Sequence, residues 1–160
     1  MDESPDKVAA LVETSRALEA IGARHALVGG VAVGIRSGVP RATADTDFAV
    51  YSTTDRALVV QTLTDVGFAL RGQFAHSVNF RHPSGEPVQL VFDPQFDPMI
   101  ERAQPITVGA TTVRVVIKAD LITMKDRAAA DPGRRRSKAL RDAADAALLR
   151  GDVPDPDEGW

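Results

Sequence analysis

The chain has 160 residues and a formal net charge of −3, which allows one domain with a hydrophobic core and requires any nucleic-acid contact to use a local basic patch. It contains no cysteine, which excludes disulfides and thiolate metal sites, and no apolar run approaches the ~20 residues of a membrane span. The N-terminal sequence is acidic and unlike a signal peptide, so we expect a cytoplasmic protein without membrane contact.

The first part of the chain predicts a helix, a strand and a glycine turn in succession. Ser4 as the N-cap and Pro5 at the first position open a predicted helix over residues 5–21, where apolar side chains recur at helical spacing. Residues 25–28 form a short apolar run, which predicts a strand that leads into Gly29-Gly30. A short helix over residues 31–36 would then direct its backbone N–H groups toward a phosphate.

The rest of the chain predicts a small sheet and further helices. The predicted strands are short and cover residues 45–51, 68–73, 76–82, 87–93, 106–108 and 111–116. The predicted helices cover residues 55–66, 119–130 and 134–149, and residues 95–104 form a loop or a short helix. We therefore expect an α+β fold, a small mixed and mainly antiparallel sheet with helices packed on it. It forms a single domain over residues 1–151, followed by an acidic tail at 152–160.

Two carboxylates and two glycines form the most informative pattern in the chain. Asp45 and Asp47 lie two residues apart at the start of a predicted strand, so their side chains point to the same side. Like charges this close repel unless a cation lies between them, and Mg²⁺ (or Mn²⁺) binds through one or two carboxylates together with substrate phosphates. Gly29 and Gly30 allow the backbone to approach such a phosphate. The pattern indicates a nucleoside triphosphate site; the alternative is an acidic, solvated start of a strand, where Asp is common.

These residues resemble a known motif. The run of residues 27–30 followed by Asp45-x-Asp47 looks like the signature of the DNA polymerase β-like nucleotidyltransferase superfamily. The longer pattern, Gly29-Gly30-x-Ala32 and then Arg41-x-Thr43-x-Asp45-x-Asp47, is similar to the branch of the AbiEii-type toxin nucleotidyltransferases. The resemblance implies the nucleotidyltransferase fold, with Asp45 and Asp47 as metal ligands. It also implies a nucleotide-binding role for Gly29, Gly30, Arg41 and Thr43.

The resemblance also implies a third carboxylate, on a later antiparallel strand next to the Asp45–Asp47 pair. Asp93 is the candidate, because it ends the predicted strand over residues 87–93. Its implied role is that of a metal ligand that also helps to deprotonate the attacking hydroxyl. The alternative is that Asp93-Pro94 only opens a turn, which is a common role for this pair of residues.

The C-terminal third extends the resemblance and adds a basic cluster. Lys125 lies in one predicted helix, Arg136 and Lys138 open the next, and Asp142-x-x-Asp145 lies within it. The resemblance implies that Lys125 neutralises charge on the pyrophosphate and that Arg136 and Lys138 bind the nucleotide. Five cations crowd this helix start, where the helix dipole disfavours them: Arg134, Arg135, Arg136, Lys138 and Arg141. They either bind phosphate or form a solvated face paired with nearby acids.

The activity implied by the resemblance is transfer of a nucleoside monophosphate from ATP or another NTP to an acceptor hydroxyl, with release of pyrophosphate. The basic cluster suits an RNA acceptor, such as a tRNA end, and the toxin-like motif implies a cognate antitoxin as a further partner. Two alternatives remain open from the residues alone. The acceptor is a small molecule resembling an aminoglycoside, or the chain is a non-catalytic, antitoxin-like binding module.

Overall fold

The computed structural model describes residues 4–39 and 45–152. In these residues seven strands form one sheet, and their bounds are β1 His25–Val28, β2 Thr46–Val50, β3 Ala69–Gln73, β4 Ser77–Arg81, β5 Pro87–Val91, β6 Gln104–Val108 and β7 Thr111–Val115. The helices are α1 Lys7–Ala20, α2 Gly29–Ser37, α3 Arg56–Asp65, α4 Asp97–Arg102, α5 Lys118–Ala130 and α6 Arg136–Leu149. A single 3-10 turn, Pro94–Phe96, precedes α4. The predicted tail at 152–160 lies, apart from Asp152, outside the described residues.

The sheet runs in the order β3-β4-β5-β2-β1-β7-β6. Strand β1 is parallel to β7, and β2 is parallel to β5, whereas the other neighbouring strands are antiparallel. The prediction of an α+β fold with a mixed, mainly antiparallel sheet is therefore confirmed. Strands β4 and β5 form one hairpin, and β6 and β7 form another.

One face of the sheet forms the hydrophobic core. Alternate side chains of the central strands are fully buried on it, among them Phe48, Phe80 and Leu90. Helices α1 and α3 contact each other and contribute Leu18 and Leu63 to the same core. Because strand side chains alternate, the intervening residues lie on the opposite face. Asp47 of β2 and the intervening residues of β4 and β5 are partly buried or exposed there, whereas Ala49 of β2 is fully buried.

Helices α1 and α2 begin at other residues than the sequence predicts. Helix α1 begins at Lys7 rather than at Pro5, because Asp6 and not Ser4 is the N-cap: the Asp6 side chain accepts a hydrogen bond from the Ala9 N–H. Helix α2 begins at Gly29 itself, so both glycines lie in its first turn. In the described parts of the chain, no helix is long and apolar enough to cross a membrane.

Candidate active site

Gly29 and Asp47 meet where two antiparallel central strands come together. Strand β1 pairs with β2 so that Val28 lies opposite Asp47, and Gly29 follows directly with a φ of +73°. A Cβ atom at position 29 would lie 2.3 Å from Asp47 Oδ2. Glycine is therefore required twice, because the backbone is left-handed and because no side-chain carbon fits beside the carboxylate.

The Asp47 side chain is half-buried, and its carboxylate is poorly compensated. Its pKa is raised to about 7, chiefly because burial penalises the charged form and secondly because Asp45 is negatively charged. The positive charges of Lys125 and Lys7 offset part of this effect. Asp47 Oδ1 is buried and has no hydrogen-bond partner among the residues that the structure describes. A cation at this oxygen would supply the missing partner.

Asp45 lies immediately before β2 and is half-buried. It is near enough to raise the pKa of Asp47, as the predicted same-side arrangement requires. Two carboxylates, one with an unpartnered oxygen, form a donor set that fits one hard divalent cation completed by substrate phosphates. Within residues 4–39 and 45–152, no group of three or more His, Cys, Asp or Glu side chains could hold a metal ion.

The predicted position of Asp93 beside this pair is wrong. Strand β5 runs parallel to β2, and its register places Gln89 opposite Asp47. An extended chain rises about 3.3 Å per residue, so Asp93 lies on the order of 13 Å further along, past the far end of β2. There its carboxylate accepts hydrogen bonds from the Gln95 backbone N–H and side-chain amide, which lower the Asp93 pKa. Asp93 opens a turn, as the alternative interpretation proposed.

Gln89 lies next to Asp47 in the sheet, although the sequence patterns did not single it out as a site residue. Gln89 lies on β5, between Asp47 of β2 on one side and Asn79 of β4 on the other. The three side chains therefore form a row across the face of the sheet opposite the hydrophobic core, which we call the half-open face. The signal for Gln89 was the alternation within β5, where Val88 and Leu90 are buried and Gln89 is not. That alternation identifies the face but does not identify the partner strand.

Lys125 lies in α5 and joins the site to α6. Its Nζ is 3.1 Å from Asp142 Oδ1 and 3.0 Å from Asp145 Oδ2, and both of these carboxylates are buried. Helices α5 and α6 also contact α2, which begins at Gly29. Lys125 is therefore held by two acids within electrostatic range of Asp47.

A cleft of about 440 Å³ opens between Gly29 and helix α5. Its charged lining consists of three cations and two acids: Lys125, Arg127, Arg134, Asp131 and Asp142. Its apolar lining includes Phe96, Met99, Leu121 and Met124. The cleft therefore carries a small excess of positive charge near the glycine turn and an apolar wall beside it.

The basic cluster divides into two parts. Arg134 lines the cleft, and its Nε lies 2.5 Å from Asp142 Oδ2, so this arginine follows the paired alternative. The other four cations are exposed and form no ion pair with described residues; they are Arg135, Arg136, Lys138 and Arg141. Arg136 and Lys138 do not line the cleft. Gly30 follows Gly29 in α2, and Arg41 and Thr43 lie outside the described residues.

A partly buried ion pair lies beside the start of β2. Glu86 precedes β5 and is buried, and its Oε1 lies 2.6 Å from Lys7 Nζ. The same oxygen accepts a hydrogen bond from the Thr46 hydroxyl, next to Asp47. Lys7 thus contributes positive charge to the surroundings of Asp47 while it ties α1 to the sheet.

No protein-family model and no curated protein matches the chain, whereas several solved structures do. The lincosamide antibiotic adenylyltransferase LnuA, solved with lincomycin bound, has a TM-score of 0.64 at 12% identity, over 94% of this chain and 99% of the other. The antibiotic-resistance factor ANT(2'')-Ia has a TM-score of 0.65 at 15% identity, over 95% and 87%. An antigenic nucleotidyltransferase-like protein from Paracoccidioides brasiliensis has a TM-score of 0.58 at 22% identity, over 89% and 74%.

At these identities the likeness shows a shared fold. The chain has the fold of nucleotidyltransferases, as the sequence motif predicted. The likeness does not single out the AbiEii-type branch, which rests on the sequence motifs at residues 29–47 and 125–145.

Proposed function

We propose that the chain is a metal-dependent nucleotidyltransferase that moves a nucleoside monophosphate from an NTP to an acceptor hydroxyl and releases pyrophosphate. The observation that carries the proposal is the contact of Gly29 with the carboxylate of Asp47, which has an unpartnered oxygen, beside a cleft lined by Lys125. A glycine turn for phosphate, two acids for a cation and a lysine for the leaving group thus lie together on a nucleotidyltransferase fold.

The nucleotide occupies the cleft with its phosphates at the glycine turn. The backbone N–H groups in the first turn of α2 have no partner within the helix, so Gly29 and Gly30 donate to phosphate oxygens. Lys125 and Arg134 offset the negative charge of the triphosphate, and charge that develops on the leaving pyrophosphate is stabilised by the same groups. The apolar wall around Met99 and Met124 receives the nucleoside.

Asp45 and Asp47 hold Mg²⁺ or Mn²⁺ through their carboxylate oxygens. When bound, such an ion polarises the reacting phosphoryl group and offsets its charge. Asp47 Oδ1 has no partner among the described residues and would be free for the cation, and the missing side chain at Gly29 leaves room for Asp47 Oδ2. The two carboxylates thereby orient the substrate phosphates relative to the acceptor.

The acceptor in this proposal is RNA, such as a tRNA end. Four exposed cations at the start of α6 have no acidic partner in the described part of the chain, and they suit a polyanion. The motif resembles that of AbiEii-type toxins. The corresponding role in the cell is that of a toxin that is restrained by a cognate antitoxin. The same four exposed cations would disfavour a small cationic acceptor.

The test is transfer of label from each of the four α-labelled NTPs to total tRNA, with Mg²⁺ or Mn²⁺. We expect one or more NTPs to label tRNA, and we expect Asp45→Asn to abolish labelling while the fold is retained. Total RNA and a panel of hydroxylated small molecules serve as alternative acceptors. A folded wild-type chain that binds NTP but labels none of these acceptors would support the non-catalytic binding module instead.

A further inference from the structure

A single row of polar side chains crosses the half-open face of the sheet at Asp47. In register, Asp47 on β2 faces Gln89 on β5, and Gln89 faces Asn79 on β4. Neighbouring strands lie about 4.8 Å apart, so Gln89 is one strand spacing from Asp47 and Asn79 is two. Gln89 is thus the nearest side chain to Asp47 on this side of β2.

The row holds one carboxylate and two neutral amides. The Gln89 side chain forms no hydrogen bond with another described residue, and Asn79 Oδ1 is buried without a partner in the same part of the structure. Buried amide oxygens without partners cost stability. Such groups are retained where a ligand completes their hydrogen bonding.

A carboxylate that deprotonates the acceptor would have to lie within hydrogen-bond reach of the hydroxyl. Asp93 does not meet this condition, because it lies past the far end of β2, hydrogen-bonded to Gln95. The other acids nearest to the row are Asp45, which belongs to the metal pair, and Glu86, which is paired with Lys7. Gln89 therefore occupies the position that a third acid would need.

We propose that Gln89 positions the acceptor hydroxyl beside Asp47 through its amide oxygen, and that the site holds one divalent cation because a third carboxylate is replaced by this neutral residue. The inference rests on the proposed nucleotidyl transfer. The hydroxyl donates its hydrogen bond to Gln89 Oε1, and its oxygen is directed to the α-phosphorus of the NTP.

The step balances without a protein base at this position. A bond forms between the acceptor oxygen and the α-phosphorus, and the bond from that phosphorus to the bridging oxygen breaks. The electron pair leaves with pyrophosphate, and the hydroxyl proton is released to water. Gln89 contributes alignment, because an amide oxygen accepts a hydrogen bond but does not take up the proton at neutral pH.

The first experiment counts bound Mn²⁺ by electron paramagnetic resonance, with a non-hydrolysable NTP analogue present. We expect one Mn²⁺ per wild-type chain and a second in Gln89→Asp, which places a third carboxylate opposite Asp47. Asn79→Asp is the matched control, because it makes the same amide-to-acid change one strand further away and should add no ion. Two ions in the wild type, or no added ion in a folded Gln89→Asp chain, would overturn the proposal.

The second experiment separates positioning from nucleotide binding. Gln89→Leu retains a side chain of similar size but removes the hydrogen bond, so we expect the acceptor KM to rise about tenfold, the loss of one hydrogen bond. The NTP Kd should stay unchanged, and Gln89→Asn, which keeps an amide oxygen and adds no charge, should retain more acceptor binding than Gln89→Leu. If the wild type transfers and Gln89→Leu acts normally, only this inference fails. A wild-type chain with no transfer to any acceptor overturns the proposed function as well.

Discussion

Gly29 and Asp47 approach each other so closely that a Cβ atom at position 29 would lie 2.3 Å from Asp47 Oδ2. The two residues are 18 positions apart in the chain, and antiparallel pairing of β1 with β2 brings them together. The contact joins the glycine turn to the acid pair, so one substitution at Gly29 disturbs both the phosphate and the cation side of the proposed site.

Gly29→Ala should lower stability and weaken NTP binding. The substitution combines a left-handed backbone with a direct clash, and overpacking alone costs about 1–3 kcal/mol. Gly22→Ala is the matched control, because Gly22 also has a positive φ, +67°, but has no atom within 4 Å of the added carbon. Urea unfolding and NTP titration measure the difference. Equal effects of the two substitutions would show that the Asp47 contact does not matter.

In the absence of metal, Asp47→Asn should remove the loss of stability that the wild type shows as the pH rises. The folded-state pKa of Asp47 is about 7, above its ordinary value, so the wild type takes up a proton on folding at intermediate pH. Wild-type stability should therefore fall as pH rises from about 4 to 7 and stay level above, by an amount on the order of 4 kcal/mol. The asparagine side chain of the Asp47→Asn variant has no proton to lose, which removes this fall.

Unfolding free energies at pH 5 and pH 8, without divalent ions, test this expectation. Asp65→Asn, at an exposed carboxylate, serves as the control and should follow the wild type. Addition of Mg²⁺ should stabilise the wild type at pH 8 and leave Asp47→Asn unchanged. Parallel pH curves for the wild type and Asp47→Asn would contradict the role of burial at Asp47.

Lys125→Ala should weaken NTP binding by about 1.5–3 kcal/mol, the range for one hydrogen bond to a charged group. The lysine lines the cleft at Gly29 and is held between Asp142 and Asp145. Lys118→Ala, at an exposed lysine at the start of the same helix, is the control and should bind normally. An unchanged Kd in Lys125→Ala would reduce Lys125 to a structural link between α5 and α6.

Transfer to RNA should fall steeply with salt, and the exposed cations of α6 should account for part of the slope. Arg135→Ala/Arg136→Ala should reduce the slope of log K against log salt by about one for each RNA phosphate that the variant no longer neutralises. Arg71→Ala/Lys118→Ala removes the same charge elsewhere on the exposed surface and should leave the slope unchanged. Arg134 is unsuited to this test, because it pairs with Asp142 in the cleft. Salt-independent transfer would indicate a small-molecule acceptor.

Local sequence patterns were enough to predict the secondary-structure elements and the motif. Apolar spacing located the strands and helices to within a few residues, and Asp-x-Asp predicted two carboxylates on one side of β2, because strand alternation is a property of neighbouring residues. The double glycine indicated a close approach to a ligand. These features depend on at most a few consecutive residues, so a linear pattern carries them.

The residue that lies opposite Asp47 depends on how distant strands pair in the folded protein. Residues 87–93 offer both Gln89 and Asp93 on one face, and the choice between them depends on the register of β5 against β2, about 40 residues away in the chain. The resemblance implied an antiparallel strand, whereas the pairing is parallel. Likewise, the run Arg134–Arg141 does not show that Arg134 turns toward Asp142 while Arg135 stays exposed. Strand register and ion-pair choice arise from packing between distant segments, and the local sequence does not encode them.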